Sequence, residues 1–326
     1  MRPTRFLAVL AAAVLVLTAC GGGGGSGGGA GGSGNSGDGS LAAIDLSGAS
    51  FTVGSKEFTE NILLGQIAVQ ALRATGADVA DLATITGSTN VRTALTAGEI
   101  DLYWDYTGTG WTVYLRNEPS SAPKDSRELY EKVQAADAAN GVAWLPPAPL
   151  NNTYALAGNA DVVARTGVKT LSQYAELVNR DPNQARLCAA AEFLTRDDGF
   201  PGLERTYGFT LPRDALAEVE LSLIAPQVRD GQTCTFGEVT STDGAVAAND
   251  LVVLDDDKQF FVLYNAAVTV RQQVLDANPR LAEVFAPISA ALTDDVVREL
   301  NERIDVGGEL PDDVAEEFLT SNGFIA

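Results

Sequence analysis

The stretch Glu99–Trp111, EIDLYWDYTGTGW, crowds aromatic rings and carboxylates around a Thr-Gly-Thr-Gly run. Rings and carboxylates together suit the capture of a small molecule by its positive charge. A quaternary ammonium has no N–H to donate, so ring faces hold it, at roughly 0.5–2 kcal/mol per contact. Nearby carboxylates add attraction. The plainer reading is an aromatic core patch with a solvated edge. Glu99-Ile100-Asp101-Leu102-Tyr103 alternates polar and apolar, as a half-buried strand does. Gly108 and Gly110 are expected to end regular structure.

The chain has no histidine. That removes Ser-His-Asp and Cys-His nucleophilic catalysis, the commonest zinc sites and the usual general base near neutral pH. Paired carboxylates remain open to a hydrolase, with Asp105 and Glu238 facing each other across a cleft as the pair to consider. The 326 residues suffice for two domains, and the apolar fraction of 45% allows a sizeable core. The formal charge is −21; without residues 1–19, which hold Arg2, Arg5 and no acid, 20 basic residues face 43 acidic ones, or −23. Such a surface repels nucleic acid and anionic lipid headgroups.

The N-terminus reads as an address. Arg2 and Arg5 precede the apolar run Phe6–Leu17, too short to span a bilayer, which ends in Leu17-Thr18-Ala19-Cys20. Residues 1–19 form a secretory signal, and Leu-Thr-Ala-Cys resembles a bacterial lipobox, which implies lipidation of Cys20. Residues 21–39 contain 13 glycines in 19 positions and bury nothing. Residues 20–49 are therefore a flexible tether; as a random coil, 20–45 reach roughly 25–30 Å. Outside the cytosol the remaining pair, Cys188 and Cys234, favours a disulfide over two buried thiols.

From about residue 50, strands alternate with helices, an α/β pattern. Phe51–Val53 is a strand, and Thr59–Ala74 a helix with a Thr59 cap. Ser88–Ala97 is a helix closed by Gly98. Strands Arg186–Ala191, Ala217–Glu220, Thr233–Glu238 and Leu251–Leu254 interleave with helices Leu171–Val178, Pro201–Tyr207 and Ser222–Arg229. Phe260–Val270 is a strand, followed only by helices. AGEIDLYWDYTGT and DGQTCTFGEVTSTDG echo each other: helix, glycine, strand, carboxylate, then a Thr/Ser-rich turn. Two such lobes would face each other across a cleft at their strand ends.

VGSKEFTENILLGQ (53–66), GEIDLYWDYTGTG (98–110), NNTYALA (151–157), EFLTRDDGFPGLERTYGF (192–209), STDGAVAANDLVVLDDDKQFF (241–261) and the final helices from Ala286 run in one order. Together they resemble the glycine betaine/choline/carnitine substrate-binding proteins of osmoprotectant ABC importers. The resemblance implies a type II, two-lobed periplasmic-binding-protein-like fold with the ligand cleft between lobes. It implies lobe one over 50–152 and 258–326, and lobe two over 153–257. It also implies closure by a hinge, a betaine-like ligand, no cofactor or metal, and no enzymatic activity. The partner is a membrane permease with a separate ATPase, in keeping with the missing phosphate-binding loop here. The protein is expected to be a monomer, extracytoplasmic and anchored through Cys20.

The same resemblance nominates site residues. Tyr106 and Tyr154 are cage walls, and Asp105 orients Tyr106 or faces the cation. Asn151 and Asn152 are carboxylate donors at the hinge, where turn chemistry is the plainer role. Ser55, Thr59 and Asn61 sit on the strand-to-helix turn, Ser88 and Thr89 on a similar one. Arg196 meets a carboxylate or pairs across the cleft. Relatives carry tyrosines where this chain has Thr240 and Asn265; Tyr264 remains, on the opposite face from Asn265. Losing two rings forfeits about 1–4 kcal/mol, unless Trp104, Phe58 or Phe236 compensates. The alternatives are a more polar betaine or amino-acid derivative as ligand, and a ligand-sensing lipoprotein.

Overall fold

The computed structural model describes residues 39–326; the signal segment, Cys20 and most of the tether lie outside them. Among the described residues, ten strands form two five-stranded sheets. In the first, β1 (Ser50–Lys56), β2 (Asp78–Ile85), β3 (Leu102–Tyr106), β4 (Val142–Trp144) and β10 (Ala266–Arg271) lie in the order β2-β1-β3-β10-β4. In the second, β5 (Tyr154–Asn159), β6 (Leu187–Ala189), β7 (Leu216–Glu218), β8 (Phe236–Thr240) and β9 (Leu251–Val253) lie in the order β7-β6-β8-β5-β9. Each sheet has three adjacent parallel strands and, beside them, an antiparallel one that directly follows a crossing, β10 or β5. The chain passes from the first sheet to the second between Trp144 and Tyr154, and returns between Val253 and Ala266.

Both faces of each sheet are covered. Leu102, Trp104 and Val268 pack with Phe285 and the C-terminal helices, while Tyr103 and Ala267 face Val91, Leu95 and Val133. Phe236 and Leu187 pack with Tyr174 and Leu203, and Cys188 and Cys234 are joined by a disulfide beside Ile224 and Val228. No helix among the described residues is long and apolar enough to cross a membrane.

Helix α1 spans Thr59–Ala74 and α2 spans Ser88–Ala97. Gly98 closes α2 in the left-handed conformation, φ 81°, with its N–H on the last-turn carbonyls. Phe58, not Thr59, is the N-cap of α1; the Thr59 hydroxyl donates instead to Asp305, 2.6 Å away. Gly108 and Gly110 do not end regular structure. Thr107–Thr109 and Gly110–Tyr114 are helical. The glycines are there for space: a Cβ on Gly108 would sit 2.7 Å from the Leu263 carbonyl and the Tyr264 ring, and one on Gly110 2.7 Å from Val133. Phe260–Val270 is not one strand. Residues 260–265 are irregular and cross beside Asn151–Thr153, and the ladder starts at Ala266.

Candidate functional site

A cavity of about 350 Å³ opens between the sheets, within the roughly 300–1,000 Å³ of small-molecule sites. It lies at the carboxyl ends of the parallel strands. Lys56 ends β1, Tyr106 ends β3, Glu218 ends β7, Thr240 ends β8, and Ala190 follows β6; all five line it.

Four rings face the cavity: Phe58, Tyr106, Tyr154 and Tyr264. Phe58 and Tyr106 have centroids 6.0 Å apart on the side of the first sheet. Tyr154 and Tyr264 meet edge to face at 5.3 Å. Tyr154 pairs with Thr240 across the ladder, so the second sheet presents its ring from β5 rather than β8. Asn152 Nδ2 bridges these parts, donating to Thr240 Oγ1 (3.2 Å), Thr242 Oγ1 (2.7 Å) and Glu60 Oε2 (2.9 Å).

Two cations line the cavity. Lys56 Nζ donates to Ser88 Oγ and pairs with Asp105, 2.8 Å each, and stands 5.2 Å from the Tyr106 ring centroid. The Arg196 guanidinium lies 5.8 Å from both the Tyr154 and Tyr264 centroids. It bonds Asp198 through two nitrogens, Glu192 at 2.6 Å and the Tyr264 hydroxyl at 3.1 Å. Glu192 accepts from the Ser88 backbone N–H (3.1 Å) and Oγ (2.6 Å), and Asp198 from Thr112 Oγ1 (2.6 Å) and the Tyr264 hydroxyl. Side chains that follow β6 are thus fastened to the first sheet's side of the cavity. Burial disfavours the Glu192 carboxylate, but Lys56, Arg196 and the Ser88 donors outweigh it and hold its pKa down to about 2.

Glu238 behaves in the opposite way. It is 2% exposed, lines the cavity and accepts one hydrogen bond, from the Ala190 N–H at 2.7 Å. Burial, reinforced by Glu192, pushes it up to about 8. Glu60, beneath Tyr106, is also pushed up by burial. Four donors temper that shift: Thr242 Oγ1 (2.5 Å), the Tyr106 hydroxyl (2.8 Å), Asn152 Nδ2 (2.9 Å) and Asn301 Nδ2 (3.2 Å).

Of the residues nominated from sequence, Tyr106, Tyr154, Asn152, Thr59, Ser88, Arg196, Thr240 and Tyr264 line the cavity. The others serve the frame. Asp105 lies behind the wall, fully buried, bonded to Lys56, the Tyr106 N–H and the hydroxyls of Tyr103 and Tyr114. It therefore does not line the cavity and does not oppose Glu238 across the cleft, as the Asp105–Glu238 hydrolase pairing requires. Ser55 Oγ accepts from the Thr84 N–H; Asn61 accepts from the Lys56 N–H and donates to the Trp104 carbonyl. Thr89 is exposed on the first turn of α2 and outside the cavity lining.

Asn151 accepts from the Tyr264 N–H, and Asn265 donates to the Leu150 carbonyl, so together they tie the two crossings to each other. Residues 264 and 265 do point to opposite sides, as their spacing predicts. Tyr264 is the one that faces the cavity, and Asn265 turns away because it enters the bridge to Asn151. Trp104 is packed edge-on against Phe285 and Phe236 against Tyr174, and of these three rings Phe58 lines the cavity. Lys56, Glu192 and Glu238 were not nominated as ligand contacts. Lys56 stands in the GSKEFTEN turn, past the strand expected over Phe51–Val53; in the structure β1 runs on to Lys56 and carries it to the cavity.

The model of the substrate-binding domain of ABC-type glycine betaine transport systems matches residues 49–321. A glycine-betaine-binding protein of Pseudomonas aeruginosa is 34% identical over 86% of this chain and 90% of its own length. The glycine betaine-binding protein YehZ of Escherichia coli is 33% identical over 87% of this chain and 95% of its own. The ligand-free YehZ structure superposes with a TM-score of 0.62 over 84% of this chain and 99% of that one. The ergothioneine transport permease/ergothioneine binding protein EgtU of Helicobacter pylori is 28% identical over 83% of this chain and 47% of its own length. The chain belongs to the family of substrate-binding domains of ABC-type glycine betaine transport systems.

Proposed function

We propose that this protein captures a small zwitterion or cation of the glycine betaine, choline and carnitine type outside the cytoplasm and delivers it to an importer permease driven by a separate ATPase. The observation that carries the ligand class is the cavity itself: four rings from both sides of the cleft, with Lys56 and Arg196 reaching into the same space. Rings hold the trimethylammonium head. Lys56 and Arg196 offer donors to a carboxylate tail. Lobe one comprises residues 50–152 and 258–326 and lobe two 153–257, and they close on the ligand as a hinge. Residues 20–49 tether this body to a lipid on Cys20.

A second reading rests on Thr240 and Asn265. With a hydroxyl at the end of β8 and Asn265 turned away, the wall is more polar than a four-tyrosine cage, which suits a larger, hydrogen-bonding betaine. The similarity to an ergothioneine-binding relative supports that branch.

Calorimetric titration with glycine betaine, choline, carnitine, proline betaine and a histidine-derived betaine separates the two. Micromolar binding of glycine betaine or choline establishes the first reading. Binding of the histidine-derived betaine alone establishes the second, and silence from all five refutes both. Labelling of the intact chain with radioactive palmitate in a bacterial host tests the anchor, with Cys20→Ala as the control that must lose the label.

A further inference from the structure

Glu238 and Thr240 stand two residues apart on β8, so they share a face, and both line the cavity. Thr240 occupies the place where the resemblance leads one to expect a tyrosine. The next position on that face is an almost completely buried carboxyl group with a single hydrogen bond. A buried charge without partners is costly, yet the cations lining the cavity are engaged elsewhere: Lys56 with Asp105, Arg196 with Glu192 and Asp198.

We infer that Glu238 takes over the role of the missing ring: it holds the positive head of the ligand by charge, passes its proton to the buffer as that head is seated, and so admits ammonium heads that keep an N–H as well as quaternary ones. The inference rests on the proposed function and specifies how the same cleft reads its ligand. The groups around Glu238 agree. Burial holds the carboxyl protonated up to about pH 8, and Glu192 and Asp243 push the same way, while the Ala190 N–H and Arg196 oppose them. Tyr154 adds a ring but no charge at neutral pH. With no cation beside it, Glu238 is neutral at pH 7. A cation seated there favours the carboxylate, so binding expels one proton. An ammonium that retains an N–H gains a charge-assisted hydrogen bond to it, which a cage of rings alone cannot provide.

The test is calorimetry on the intact protein with glycine betaine and dimethylglycine, at pH 6.5 and 8.5, in buffers of low and high protonation enthalpy. Glycine betaine should bind about tenfold more tightly, or better, at the higher pH. Its heat should differ between buffers in proportion to a released proton. Dimethylglycine should bind within tenfold of glycine betaine. Glu238→Gln should flatten the pH profile and abolish the buffer difference. Should that variant fold poorly, the two-buffer proton count on the unaltered protein still decides. A pH-independent affinity with buffer-independent heat overturns the inference, as does a hundredfold loss on removing one methyl group. Failure of both probes to bind while choline, carnitine or the histidine-derived betaine binds overturns this inference alone; silence from the whole panel refutes the proposed function, and this inference with it.

Discussion

Asp105 and Glu238 sit on matching strands of the two sheets, each flanked by one parallel and one antiparallel neighbour, yet they live in opposite worlds. Asp105 is saturated: a lysine, a backbone N–H and two phenols converge on it. Glu238 has one donor and the cavity in front of it. The ladders show why. Tyr106 pairs with Ala266 at the end of β3, as Thr240 pairs with Tyr154 at the end of β8. Counting back from those ends, Glu238 is in step with Trp104, and Asp105 with Val239. An offset of one residue moves a side chain to the other face of a sheet. One acid therefore braces the frame from behind, while the other opens onto the cavity.

The contrast can be broken most forcefully at Asp105. Asp105→Asn should destabilise the fold by about 3–5 kcal/mol, since it leaves Lys56 charged and buried beside a neutral amide; urea denaturation reads the loss. A change below about 1 kcal/mol would mean that Asp105 is not the brace described.

Next in size is the ring opposite Thr240. Tyr154→Ala removes a wall and its edge contacts to Tyr264 and Phe193. Glycine betaine affinity should fall about tenfold to a hundredfold, with calorimetry as the measure. Unchanged affinity would place the head elsewhere in the cavity.

The two titrating acids of the cleft should then give stability profiles of opposite slope. For Glu238, raised to about 8, the folded state prefers the protonated form, so its contribution is greatest below the ordinary glutamate range and is lost as pH rises toward 8. Glu238→Gln should gain in melting temperature relative to the parent as pH goes from 5 to 8. For Glu192, held at about 2, the contribution is present above the ordinary range and lost as pH falls through it. The cost of Glu192→Gln should shrink from pH 7 toward pH 2.5. Parallel profiles for the two variants would contradict the environments assigned to them.

The smallest effect sharpens the contrast from the other side. Thr89→Ala alters an exposed residue outside the cavity lining, so stability should stay within about 0.5 kcal/mol and affinity should not move.

Much of the frame is legible in the sequence. Helices α1 and α2 have the bounds their apolar spacing and Gly98 predict. Strand β2 is not legible, because it is an edge strand, paired only with β1, whose residues from Ala80 to Leu82 are all exposed; no clean alternation marks it. The irregular crossing before Ala266 reads as strand because it is rich in apolar residues, but Val262 and Tyr264 pack into one core and Phe260 and Phe261 against the other instead of in a ladder. At the site, Tyr106, Tyr154, Arg196 and Tyr264 have the residue types that hold a zwitterion, and they line the cavity. Asn151, Asn265 and Asp105 have equally suitable chemistry, and the fold uses them as fasteners.

By itself the sequence determined the α/β alternation, the acidic surface, the absence of histidine chemistry and the set of rings and charges from which a cleft could be built. These are properties of composition and of local periodicity, and they do not depend on what folds beside them. Which carboxylate is paired behind the wall and which faces the cavity was decided only in three dimensions. Strand register selects the face, burial shifts the protonation, and partners up to about a hundred residues away, such as Ser88 for Glu192, set the charge each acid carries.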